Sequence, residues 1–77
     1  MKPAELIERF YDRTRCPELP FVESDEVQVA DRVYAGKTGE VVVLAYAETP
    51  MQYLVEFDDG TDEHFAESSL RLVHRDI

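Results

Sequence analysis

Five carboxylates, Glu56, Asp58, Asp59, Asp62 and Glu63, crowd one short stretch of the chain with no basic residue among them. Oxygen donors at that density suit a hard cation such as calcium. A dedicated calcium loop, however, spreads its ligands over about twelve residues and closes on a glutamate, and that spacing is missing. Alternation along a strand would also send several of these side chains to opposite sides. The stretch therefore reads as a solvated turn or as a docking surface for a basic partner, and no metal site is assigned.

Nucleophile and base chemistry has less to stand on. Cys16 is the single cysteine and sits beside Pro17 and close to Pro20, with His64 and His74 far along the chain. One thiol and two scattered imidazoles do not make a catalytic constellation, so no catalytic residue is assigned and the chain is not expected to be an enzyme. Tyr34, Tyr46, Tyr53, Phe57 and Phe65 lie near acids, and such rings can cage a methylated ammonium. Tyr53 and Phe57 share the strand face of Val55, which assigns most of these rings to a core instead. Arg32, Lys37, Arg71 and Arg75 are the basic residues of the second half, a thin set for reading phosphate among so many acids.

These side chains must be positioned by a very small protein. The chain has 77 residues, which leaves room for one domain, residues 1–77, and one core. Its hydrophobic content of 44%, with four Tyr and four Phe, is that of an ordered chain rather than an acidic tail. Seventeen acidic residues against eight basic give a formal charge of −9, which repels phosphate backbones and anionic lipid. A lone cysteine allows no internal disulfide and points to the cytoplasm, and no cofactor is implied. The opening MKPAELIERFYDRTR lacks an apolar h-region, and no run approaches 18 apolar residues, so neither a signal peptide nor a membrane span is expected.

Pro3 near the start, Glu5 and Glu8 early and Arg13 and Arg15 late predict a helix over 3–14. Its apolar residues Leu6, Ile7, Phe10 and Tyr11 form one stripe that has to be covered, either by the chain's own core or by a partner. Residues 15–28 read as a connector broken by Pro17 and Pro20, with 21–26 a loop or irregular edge strand. From Val29 the signals turn to β. A first strand runs toward Tyr34 before the turn residues Gly36 and Gly39, and a β-branched run over 40–47 ends at Glu48-Thr49-Pro50. YLVEF at 53–57 alternates, placing Tyr53, Val55 and Phe57 on one face. Asp58-Asp59-Gly60-Thr61 then makes a hairpin turn, Phe65 returns to the core, SSL makes a 3₁₀ turn, and RLVH closes. Short strands at this spacing close most simply as a small bent barrel over 29–74.

Four strings carry a family resemblance: Val29-Ala30-Asp31-Arg32-Val33, YAGKTGEVV at 34–42, YLVEFDDG at 53–60 and FAESSLRLV at 65–73. Together they resemble an SH3-like barrel of the KOW, Tudor and electron-transport-accessory group. Within it they are most similar to the C-terminal barrel of nitrile hydratase β subunits and their accessory proteins. Gly36-Lys37-Thr38-Gly39 stands where that family has an RGKxG turn, Pro50 to Phe57 where it has its YxVxF strand, and Ala66-Glu67-Ser68-Ser69-Leu70 where a WESYL-like segment closes the barrel. Ala66 and Ser69 replace the aromatic residues of that segment, and the loop before the YxVxF strand is shortened. The resemblance implies a mainly β fold of about five strands after one helix, and a barrel that docks on a larger subunit; it does not carry nitrile hydration.

The expected function is that of a non-catalytic protein-interaction module, an accessory or regulatory subunit. Leu6, Ile7, Phe10 and Tyr11 with the acids Glu56, Asp58, Asp59, Asp62 and Glu63 are its candidate contacts, and its partner is another protein or a second copy. A nucleic-acid-associated Tudor or KOW-like domain and an assembly factor for a nitrile-hydratase-like metalloenzyme are the alternatives. Lipid is not an expected partner.

Overall fold

The computed structural model describes residues 2–30, 32–34, 36–46 and 51–74. Asp31, the Glu48-Thr49-Pro50 break and Arg75 lie outside the described residues, as do the side chains of Tyr46 and His74. The chain begins with helix α1 (Pro3–Tyr11) and continues through β1 (Glu26–Val29), β2 (Thr38–Tyr46), β3 (Gln52–Phe57), β4 (Asp62–Ala66), a 3₁₀ turn (Glu67–Ser69) and β5 (Leu70–His74). The fold is mainly β, one helix followed by five antiparallel strands in a single sheet of order β4-β3-β2-β1-β5. None of the helices in the described residues is long and apolar enough to cross a membrane.

The helix starts as its sequence demands, with proline in the first turn, Glu5 near the N-terminus and Arg9 in the last turn. It stops at Tyr11 rather than running to 14. Arg13 takes a left-handed φ of 58°, and the N–H groups of Arg13 and Thr14 bond back to the carbonyls of Phe10 and Arg9. That is a Schellman motif, most often built on glycine, with an arginine in the left-handed position. The Arg13 side chain compensates by reaching across the connector, where Nη2 donates to Ser24 Oγ at 3.1 Å and lies 4.0 Å from Glu23.

The first strand also lies earlier than the sequence suggested. It occupies Glu26–Val29, so that its first three residues fall in the predicted connector, and residues 32–34 are a turn. Val33, read as a strand residue because it is β-branched, is 82% exposed. The pattern that prevails is Val27 and Val29 buried, alternating with Glu26 and Gln28 outside. Gly36 takes a positive φ of 84° and donates its N–H to Val29, which closes the loop onto β2. Gly39 is not a turn residue but part of β2. A Cβ there would lie 2.7 Å from both the Glu56 carbonyl oxygen and Val55 Cγ1, so its lack of a side chain lets β2 and β3 approach closely.

β2 carries the curvature. Its register against β3 shifts between Val41 and Val43 and again between Leu44 and Tyr46, and such bulges bend and twist a strand. β1 and β5 consequently share one interior with β3 and β4. Every strand contributes: Val27, Val29, Val41, Leu44, Tyr53, Val55, Phe57, Phe65 and Leu70 are all buried in one cluster. The alternation predicted for 53–57 is observed, with Leu54 half-buried and Glu56 exposed on the opposite face. Gly60 has the positive φ, 86°, that the Asp58–Thr61 hairpin needs. Burial in this cluster pushes the Tyr53 phenol well above its ordinary range.

The connector closes the remaining end of the core. Leu19, Phe21 and Val22 are buried alongside Leu6 and Phe10 of α1, and Phe21 stands edge-on to Tyr53 with ring centres 5.3 Å apart. Asp25, wholly buried, ties this segment down. Its carboxylate accepts from Arg15 Nη2 at 2.6 Å and from the Val22 N–H at 3.0 Å, while its backbone carbonyl accepts the N–H of Val41 in β2.

Candidate functional site

The sheet's outer face carries a row of carboxylates that cross-strand register assembles. Glu26 of β1 is paired with Glu40 of β2, Glu40 with Glu56 of β3, and Glu56 with Asp62 of β4. Directly paired residues point to the same side of a sheet, so four acids stand abreast, about 4.8 Å apart from strand to strand. All four are exposed. Glu26, Glu40 and Glu56 line an open groove of about 590 Å³ that continues past Asp58 to the hairpin and is bordered by Ser24 and Thr38. The next outward row is apolar at its centre, with Val43 opposite Leu54, both half-buried, and His64 exposed at its end.

This geometry divides the acidic cluster expected from the sequence. Glu56 and Asp62 belong to the row, and Asp58 lines the groove. Glu63 is opposite Val55, on the other side of β4, and its Oε1 accepts the His64 N–H at 3.0 Å. Asp59 is committed within the hairpin: Oδ1 accepts from the Thr61 N–H at 3.0 Å and Thr61 Oγ1 at 2.6 Å, and Oδ2 lies 3.3 Å from Lys37 Nζ. The two Thr61 hydrogen bonds, and behind them Lys37, hold the Asp59 carboxyl down at about 2. Among the described residues no three His, Cys, Asp or Glu side chains converge as a metal site.

Glu26 and Glu40 were missed by the sequence reading. Nothing in their local sequence marks them, since they acquire neighbours only through strand pairing. The pairing of Glu40 with Glu56 could be counted from the hairpin only if the bulges in β2 were known.

The helix stripe is also divided. Leu6 and Phe10 are core residues, 4% and 0% exposed, with the Phe10 ring 6.2 Å from that of Tyr53, so neither is available to a partner. Ile7 and Tyr11 remain 42% and 44% exposed. The physical reason is the angular width of the stripe: one flank packs into the core cluster and the other stays outside it.

Tyr34, Phe57 and Phe65 do come together, Tyr34 stacked on Phe57 at 5.8 Å and Phe65 edge-on to both. Phe57 and Phe65 are buried, so the cluster is core rather than an open cage. Lys37 Nζ sits 4.3 Å from the centre of the Phe57 ring. Cys16 is half-buried and engaged in a turn, accepting the Leu19 N–H at its carbonyl. Arg71 of β5 pairs with Gln28 across the sheet, and Arg32 is exposed in the turn that precedes β2.

No family model matches the chain, and no curated protein or solved structure matches it at a significant level.

Proposed function

We propose that this chain is a non-catalytic protein-interaction module, an accessory or regulatory subunit of the cytoplasm, that docks a basic segment of a larger protein across the acidic row. The carrying observation is the register that sets Glu26, Glu40, Glu56 and Asp62 abreast. Like charges directly opposite one another destabilise a sheet, and the arrangement becomes favourable only against cations.

Spacing selects the form of the cations. Neighbouring strands are about 4.8 Å apart, and a helix advances about 5.4 Å per turn, whereas alternate residues of an extended chain are about 6.7 Å apart. A helix with Lys or Arg once per turn, laid across the strands, keeps step with the row, while an extended chain drifts out of it. Val43 and Leu54 in the adjacent row offer apolar surface to such an amphipathic helix. The resemblance to barrels that dock on a larger subunit supports the same reading, with assembly of a metalloenzyme its narrowest form. The phosphate-binding alternative is disfavoured by the same row, which repels polyanions.

The test is binding of a 16-residue helical peptide carrying Lys once per turn, followed by fluorescence anisotropy at low salt. The Glu40→Gln, Glu56→Gln double variant is expected to bind about fivefold or more weakly, and the wild-type affinity to fall as salt rises. Equal binding by the double variant and the wild type would overturn the proposal.

A further inference from the structure

We infer that the outer stripe of α1, made of Ala4, Ile7 and Tyr11, is a second docking surface, and that it takes an amphipathic helix of another protein whose apolar stripe is bordered by Lys or Arg. The inference does not rest on the acidic row. α1 packs into the core cluster, whereas the row lies on the outer face of the sheet.

The helix carries two apolar stripes. Leu6 and Phe10 form the inner one and are buried. Ala4, Ile7 and Tyr11 form the outer one, at the three- and four-residue spacing by which one helix meets another, and all three are exposed. At 3.6 residues per turn they fall within about 60° of arc and make one continuous strip. Covering the core needs the inner stripe alone.

Tyr11 is also held in place. Its ring stands edge-on to that of Phe10 with centres 4.8 Å apart, and Phe10 is wholly buried. An exposed ring fixed by a buried one is already ordered, which reduces the entropy lost when a partner covers it.

Charge selects the occupant. One side of the outer stripe turns toward the core, and the other borders Glu8, Asp12 and Glu5, all exposed, with Arg9 beyond them. A second copy of this chain would bring the same stripe and the same carboxylates. Paired antiparallel about Ile7, the two copies would set Glu8 beside Glu8; paired parallel, the acids of one would face the side of the other that is buried in its own core. Neither pairing supplies a cation, and each copy adds a formal charge of −9. A helix flanked by Lys or Arg supplies it, and the long stems of those residues extend the apolar contact.

The experiment titrates a short amphipathic helical peptide, with Leu at three- and four-residue spacing and Lys along one flank, into the isotope-labelled full-length protein. A twin peptide carries Glu in place of Lys. NMR is expected to show the amides of Ala4 to Asp12 moving. Ile7→Gln and Tyr11→Gln should each weaken binding about fivefold or more, and Glu8→Gln about twofold, while the Glu twin should bind about fivefold or more weakly than the Lys peptide. The Glu40→Gln, Glu56→Gln double variant should stay within about twofold of the wild type, because the row is elsewhere. Glu8→Gln and the Glu twin remove no packing contact of the fold, so they decide the matter even where Tyr11→Gln loosens Phe10. Failure of the wild type to bind the Lys peptide, equal binding of the two peptides, or a loss confined to the row variant overturns the α1 surface; the last of these leaves the row reading standing. A wild type that light scattering finds as a dimer, and that Ile7→Gln returns to a monomer, overturns the choice of occupant in favour of a second copy.

Discussion

The protein treats its carboxylates in two opposite ways. Asp25 is taken entirely out of water and given a guanidinium at 2.6 Å and a backbone N–H at 3.0 Å. Glu26, Glu40, Glu56 and Asp62 stay in water, set against one another. The first arrangement fastens the helix and connector to the sheet. The second sets like charges opposite one another, which disfavours the sheet. Where a small protein spends charge without structural return, a task outside the fold is the economical explanation.

The largest effect is expected on removing Asp25. Asp25→Ala strands Arg15, whose Nη1 is already buried with no hydrogen-bond partner among the described residues, and it frees the Val22 N–H. Breaking a buried pair from one side costs about 3 to 5 kcal/mol, close to everything a domain of this size possesses. Urea denaturation should find the variant largely unfolded; a loss below about 1 kcal/mol would show that Asp25 is not the anchor.

The opposite sign is expected on the outer face. Glu40→Gln relieves two like-charge neighbours, Glu26 and Glu56, and should raise stability by about 0.2 to 1 kcal/mol at low salt, with the gain shrinking as salt is added. A destabilised Glu40→Gln would mean that the row is held by partners within the fold, and the contrast with Asp25 would collapse.

The smallest effect belongs to Asp59, which lies between the two extremes: exposed, yet fully engaged. Its carboxyl sits at about 2 in the folded chain against an ordinary 3.8. A depressed folded value means that its contribution is complete above the ordinary range and is lost as pH falls from about 4 toward 2. An NMR titration of the Asp59 side chain should give a midpoint near 2, and a midpoint near 4 would remove the Thr61 and Lys37 contacts from the account.

Much of this molecule was legible before folding was considered. Pro3 and the spacing of Leu6, Ile7, Phe10 and Tyr11 specify a helix. The alternation of Tyr53, Val55 and Phe57 specifies a one-sided strand, and Asp58-Asp59-Gly60-Thr61 specifies a hairpin whose glycine must take positive φ. These depend on neighbours within a few residues, where steric and periodic constraints act directly.

Tertiary structure decided the rest. Which half of the helix stripe is buried depends on where the sheet lies, and so Leu6 and Phe10 went inside while Ile7 and Tyr11 did not. Val33 became a turn residue because Val27 and Val29, not Val33, could face the shared interior. The row that carries the proposed function joins residues up to 36 positions apart. Residue types along a chain prescribe which faces are apolar, but which acids stand side by side is set by register, and register is set by bulges and packing that involve the whole sheet at once.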